Sequence, residues 1–222
     1  MSAHSAPLPH AYPIDEQFGR ATMGKLGMWF FLLSDAFSFS GLLLAYGILR
    51  AGTENWICTE AVAAQTGCTI QPELGIGFTA GLTFLLICSS VTMVMSHAAL
   101  MERDLKGAKK WLALTILGGT LFLCGQAQEY WGVFSFIFHH EGLLAEGLTF
   151  TSSHYGTTFY AITGFHGMHV TSGVIYMSIL LVRMLRGKYD DGNYNHLEMA
   201  GLFWHFVDLV WILVFTLVYL IP

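Results

Sequence analysis

Charge is what this sequence has least of. Only 11% of its 222 residues are Asp, Glu, Lys or Arg, while 54% are apolar; an ordinary soluble domain carries roughly 25% charged residues. The shortage excludes a disordered chain, which needs high charge density and low hydrophobicity. It also leaves too little polar surface to cover a water-soluble exterior. Lys and Arg number 10 against 15 Asp and Glu, so no basic footprint for nucleic-acid phosphates exists. The 4 cysteines include no C-x-x-C pair, which removes the usual zinc or redox spacing. Neither a second soluble domain, an internal repeat nor a low-complexity tract is visible. Residues 1–18 are polar and rich in His and Pro. They lack the charged start and apolar run of a signal peptide, so the first apolar span is expected to be retained.

What the chain does have is long apolar runs. A membrane helix needs about 20 consecutive, mostly apolar residues, and five stretches qualify: 27–49, 74–97, 111–134, 157–182 and 199–221. They are twice the length of a barrel strand and show no alternation, which sets an outer-membrane barrel aside. The expected fold is therefore an all-α membrane protein, a bundle of five transmembrane helices. Residues 1–26 form a polar cytoplasmic segment and 27–222 the bundle. Nine of the ten cations (Arg20, Lys25, Arg103, Lys106, Lys109, Lys110, Arg183, Arg186 and Lys188) fall on one side of these spans. By the positive-inside rule that side is the cytoplasm. The N-terminus is then cytoplasmic and the C-terminus periplasmic. Cys58 and Cys68 lie in the outer loop 50–73, where an oxidising compartment permits a disulfide; two free thiols are the alternative.

Ionisable groups inside the spans carry the most information. A charged side chain at the centre of a membrane helix costs about 2.5–3.5 kcal/mol on insertion scales, so each must face protein, water or a headgroup, or stay protonated. Asp35 sits in the first span between Ser34 and Ser38, which can donate to it. It reads either as a proton-handling carboxyl or as a hydrogen-bonded acid joining helices. Glu129 shares a helix face with Gln126, and its expected partners are His166 and His169 on the fourth span. These two histidines share a face, as do His205 and Asp208 on the fifth.

Three intramembrane histidines could be haem ligands, with Gly164 and Gly167 leaving room for a ring. Hydrogen-bonded networks explain the same set without a cofactor, since each His has an acid or hydroxyl within reach. Trp29, Trp56, Trp111, Trp131, Tyr155 and Tyr219 lie near span ends and read as interfacial belts. Gly77-x-x-x-Gly81 is a close-packing pattern of membrane helices. Arg183 follows an uncharged span at its cytoplasmic end, where it can snorkel and hold a lipid phosphate or simply anchor the helix.

Five ordered segments resemble one family. Gly27-Met-Trp-Phe-Phe-Leu-Leu-Ser-Asp, Cys88-Ser-Ser-Val-Thr and Phe122-Leu-x-x-Gln-x-x-Glu-Tyr are followed by Thr163-Gly-Phe-His-Gly-Met-His-Val-Thr-Ser-Gly and Phe203-Trp-His-Phe-Val-Asp-Leu-Val-Trp. Together they resemble subunit III of haem-copper oxygen reductases, over residue 24 to the C-terminus. The chain is similar to the short five-span form. The longest members add two helices that make one wall of a V-shaped, lipid-filled cleft. Asp35 stands where many members have Glu, a carboxyl known in the family for reactivity toward hydrophobic carbodiimide. The loop with Cys58 and Cys68 matches no family motif.

The resemblance implies a non-catalytic subunit of a proton-pumping terminal oxidase in the bacterial inner membrane. Haem and copper would belong to partner subunits, with none in this chain. The implied partners are the catalytic subunit I, subunit II, possible further respiratory subunits and phospholipid. Its implied roles are to stabilise subunit I, support proton uptake and prolong turnover. By position, Arg183, His169 and Glu198 match residues near lipid. Asp35 and Glu129 match the family's buried acids, and with His166, His205 and Asp208 they are expected to form a buried acid and histidine network. A cytochrome c oxidase is favoured over a bo-type quinol oxidase, whose short subunit III is similar. From other classes, a proton-coupled transporter would need inverted repeats or broken helices, which are absent, and a b-type cytochrome would need the histidines for haem.

Overall fold

The computed structural model describes residues 14–15, 21–53, 56, 74–133, 142–151, 153–187, 189 and 195–221. Five helices dominate: α1 (Met23–Gly52), α2 (Ile76–Met101), α3 (Leu105–Trp131), α4 (His154–Leu185) and α5 (Asn195–Val214), the last continuing as a π-helical turn over Phe215–Leu220. Each is long and apolar enough to cross a membrane. A two-residue antiparallel pairing of Ile14–Asp15 with Ala21–Thr22 precedes α1. The chain is thus an all-α, multi-pass membrane protein.

Most helices outrun their apolar spans by several residues, because polar caps and interfacial residues extend the backbone ladder beyond the hydrocarbon core. Thr22 caps α1 by accepting from Lys25 N, Asp104 caps α3 from Gly107 N at 3.0 Å, and Ser153 caps α4 from Gly156 N at 3.0 Å. These oxygens satisfy amide groups that no preceding turn can reach. The α2–α3 turn is tight enough to hold Arg103 at φ 62, a left-handed position that a non-glycine residue occupies only at a cost.

α5 is the central helix. α1, α2 and α4 pack directly on it, and α3 closes the arc between α2 and α4. The close approaches are made at Gly118, Gly119 and Gly173. A Cβ at Gly119 would stand 2.6 Å from the Trp204 ring, and one at Gly173 3.0 Å from the same ring. Trp204 is therefore seated in a slot cut by two glycines on neighbouring helices. The expected Gly77-x-x-x-Gly81 contact does not form among the described residues. Both residues lie on an exposed face of α2 with open space around them.

Hydroxyl groups bind α2 to its neighbours. Thr92 and Thr115 meet at 2.8 Å, and Ser96 donates to the Ala108 carbonyl at 3.0 Å, joining α2 to α3. Toward α5, Trp204 donates to Ser89 at 3.1 Å and Trp211 to Thr83 at 2.9 Å. The Cys88-Ser-Ser-Val-Thr segment is thereby the polar seam of the core, its hydroxyls answering groups on α3 and α5.

Candidate functional site

α1 differs from the other helices in how it is held. Large apolar side chains along it, including Phe30, Leu33, Phe37, Leu44 and Ile48, are exposed. Polar links secure it to the bundle at both ends and in the middle. At one end Lys25 pairs with Glu198 of α5. At the other, Arg50 donates to the Ile221 carbonyl at 2.7 Å. Between them, Asp35 Oδ1 meets His169 Nε2 of α4 at 3.1 Å, both groups being largely buried.

The proton inventory of the Asp35–His169 contact follows from its geometry. His169 Nδ1 lies 2.8 Å from the Phe165 carbonyl, which only accepts, so Nδ1 carries a hydrogen. Nε2 and Oδ1 then share one further proton, held as imidazolium against carboxylate or as carboxylic acid against neutral imidazole. Phe39, Phe165 and Phe203 surround the His169 ring, and Asp35 Oδ2 has no hydrogen-bond partner among the described residues. Ser34 and Ser38 were expected to serve Asp35. Instead they donate back to the Phe31 and Ser34 carbonyls, the local bonding that helical Ser adopts.

The second buried acid is built differently. Glu129 was expected to meet His166 or His169. Its oxygens are taken by Thr79 of α2 at 3.1 Å and by Tyr219 at 3.0 Å. The arc of helices explains the correction: α2 and the end of α5 converge on the last turn of α3. The π-helical turn at Phe215–Leu220 carries Tyr219 into that space, and Tyr155 donates to its Val218 carbonyl at 3.4 Å. Residues 142–151 close over the same end, with Leu143 N donating to the Glu129 carbonyl at 2.9 Å.

The remaining histidines separate. His205 Nδ1 lies 3.1 Å from Ser90 Oγ, and Ser90 also faces Asp208. His166 is fully buried, tilted against Trp211 at 4.7 Å and edged by Phe122, and neither ring nitrogen has a hydrogen-bond partner among the described residues. His166 and His169 share a face of α4, yet one ends in an aromatic box and the other on a carboxyl. Among the described residues, no cluster of three or more His, Cys, Asp or Glu is arranged to hold a metal ion. Arg183 lines an apolar groove of about 430 Å³ with Val174, Ile179, Val182 and Arg186. Cys58 and Cys68 lie outside the described residues.

The belt reading needs correction at three aromatics. Trp29 and Trp131 are exposed, but Tyr155 and Tyr219 are each 1% exposed and Trp56 is buried. Nearness to a span end cannot distinguish a ring that faces headgroups from one that closes the end of the bundle. Tyr155 and Trp56 meet edge-on at 5.9 Å inside that closure.

Five apolar helices around a seam of hydroxyls, with acids buried on partners from other helices, define an integral membrane subunit whose outer faces remain apolar. The family model for cytochrome c oxidase subunit III matches residues 17–221. Among curated relatives, the probable cytochrome c oxidase subunit 3 of Mycobacterium bovis is 35% identical over 205 residues, covering 91% of this chain and 90% of the relative. Cytochrome c oxidase subunit 3 of Corynebacterium diphtheriae is 34% identical over 91% of this chain and 90% of its own length. That of Synechocystis is 34% identical over 91% of this chain and 78% of its own. The chain belongs to the cytochrome c oxidase subunit III family.

Proposed function

We propose that the chain is the non-catalytic subunit III of a proton-pumping cytochrome c oxidase in the bacterial inner membrane, with its N-terminus cytoplasmic. It packs on the catalytic subunit I beside subunit II. The haem and copper that reduce oxygen reside in those partners. Its own work is to stabilise subunit I, hold phospholipid, assist proton uptake and prolong turnover. The exposed apolar sides of α1 and α2 suit a docking face and lipid, since a soluble monomer rarely exposes such patches.

One observation carries the lipid reading. The α4 groove is apolar along Val174, Ile179 and Val182 and ends in two guanidinium groups, Arg183 and Arg186. That order matches an acyl chain followed by a phosphate, which Arg recognises through its planar fork of donors. His169 and Glu198 support the reading less directly, because Asp35 and Lys25 already occupy them.

The test is turnover lifetime. Arg183→Ala in the purified oxidase should leave the initial oxygen consumption near normal and shorten the time before activity decays. Added phospholipid should restore part of that lifetime. A large loss of initial rate with unchanged lifetime would overturn the reading.

A further inference from the structure

Between α2 and α5, at the end of the bundle where Lys25 pairs with Glu198, the helices part around a groove of about 150 Å³. Met93 and Gly201 contribute to its apolar sides. Three titratable side chains also line it: His97 from α2, and Glu198 and His205 from α5. Along α5 the ionisable groups run inward. From Glu198 the helix rises about 10.5 Å to His205 and about 15 Å to Asp208. Glu198 stands just outside the apolar span 199–221, so Asp208 lies near the middle of a hydrocarbon core of roughly 30 Å. Ionisable groups in a row at that depth are costly and mark ion pathways or proton relays.

The inner end of the groove can pass a proton on. His205 Nδ1 lies 3.1 Å from Ser90 Oγ, and Ser90 also faces Asp208. With Nδ1 taken, Nε2 is the nitrogen left to the groove. Asp208 is 7% exposed, and its Oδ1 has no hydrogen-bond partner among the described residues. It has little surface of its own to trade protons with water, so the Ser90–His205 contact is its link to the groove. The outer end is wetter. The side chains of Lys25 and Glu198 are 30% and 27% exposed, and His97 lies within electrostatic reach of both. The volume holds several waters at about 30 Å³ each, and two imidazoles and a carboxylate supply their polar partners.

We infer that this groove is a hydrated proton path joining the Lys25–Glu198 end of the bundle to Asp208. The inference rests on the reading that the subunit assists proton uptake, and adds the route and its inner terminus. A proton from groove water binds His205 Nε2. The Nδ1 proton then passes to Ser90 Oγ as the Ser90 hydroxyl proton passes to the Asp208 carboxylate. One proton has left the groove and one has arrived on Asp208, with His205 neutral again and its hydrogen on Nε2. The reverse sequence returns the proton, and no electrons move.

The test follows hydrogen–deuterium exchange at Asp208 by infrared spectroscopy of the intact, resting oxidase containing this chain. The carbonyl band of protonated Asp208 is identified by its loss in Asp208→Asn. On transfer to D2O that band should shift before the buried amides of the bundle exchange. His205→Phe should slow the shift about a hundredfold, the lower end of what a positioned proton-transfer group contributes. Gly201→Leu keeps the relay but fills the groove beside Met93, and should slow the shift as well. Gly201→Ala should slow it far less, since a Cβ there comes no nearer than 3.5 Å to Met93. Unchanged melting of the complex shows that each variant is folded. A band that exchanges only with the buried amides would overturn the inference, as would wild-type speed in either folded variant, His205→Phe or Gly201→Leu. The uptake reading is decided separately, by proton uptake during turnover with this subunit present or removed.

Discussion

Asp35 and Glu129 are both carboxyls enclosed by apolar helices, and the chain solves the two burials in different ways. Glu129 meets two hydroxyls, from Thr79 and Tyr219. Both are ordinary donors, so the acid is held by groups that do not change charge. Asp35 meets an imidazole, and the pair shares one proton that either partner can carry. The surroundings differ in the same sense. Glu129 lies where α2, α3 and the end of α5 close together. Asp35 belongs to α1, whose outer side is exposed. A buried acid capped by hydroxyls rests on neutral donors, whereas one opposed by a histidine depends on a partner that can itself carry charge.

The largest effect should come from removing the histidine. His169→Phe leaves Asp35 with neither oxygen partnered, since Oδ2 already lacks a donor. Breaking a buried pair from one side costs about 3 kcal/mol or more. We predict a loss near 3 kcal/mol, measured as unfolding of this subunit within the purified oxidase. Asp35→Leu should cost about 1 kcal/mol, the penalty of one unpaired imidazole nitrogen. The double variant should recover most of the His169→Phe loss. If His169→Phe costs no more than Asp35→Leu, the carboxyl is not the dependent member and the contrast with Glu129 fails.

A smaller effect is expected at the other acid. Tyr219→Phe removes one donor from Glu129 but leaves Thr79 in place, so the loss should be about 1 kcal/mol. Glu129→Gln should cost no more, because an amide can still accept from one hydroxyl and donate to the other. The same unfolding measurement applies to both. A loss at Tyr219 as large as that at His169 would show that the hydroxyl cap matters as much as the imidazole.

The five helices were legible in the sequence because hydropathy alone determines where a backbone can cross a membrane. The faces of single helices were legible too. Spacing of three put His166 beside His169 and His205 beside Asp208. Partners across helices were not, because they depend on the order of helices around α5, which no single span encodes. Glu129 therefore finds Tyr219 rather than a histidine, and the π-helical turn that delivers Tyr219 left no mark in the hydropathy. The Ser89, Ser90 and Thr92 cluster was visible as a motif. Its use, one hydroxyl each for Trp204, His205 and Thr115, emerges only when the helices are assembled.

The weakest link in α1 gives the finest test of how that helix is held. Lys25 and Glu198 are each about a third exposed at the helix end, where water and salt screen the pair and side-chain entropy opposes it. A double-mutant cycle with Lys25→Met and Glu198→Gln should return a coupling of about 0.5 kcal/mol. That coupling should shrink as salt is raised, whereas the Asp35–His169 coupling, enclosed among Phe39, Phe165 and Phe203, should not. Salt sensitivity therefore separates the two kinds of link along one helix. A salt-independent Lys25–Glu198 coupling of several kcal/mol would make the helix end, rather than the Asp35 contact, the point that fixes α1 to the bundle.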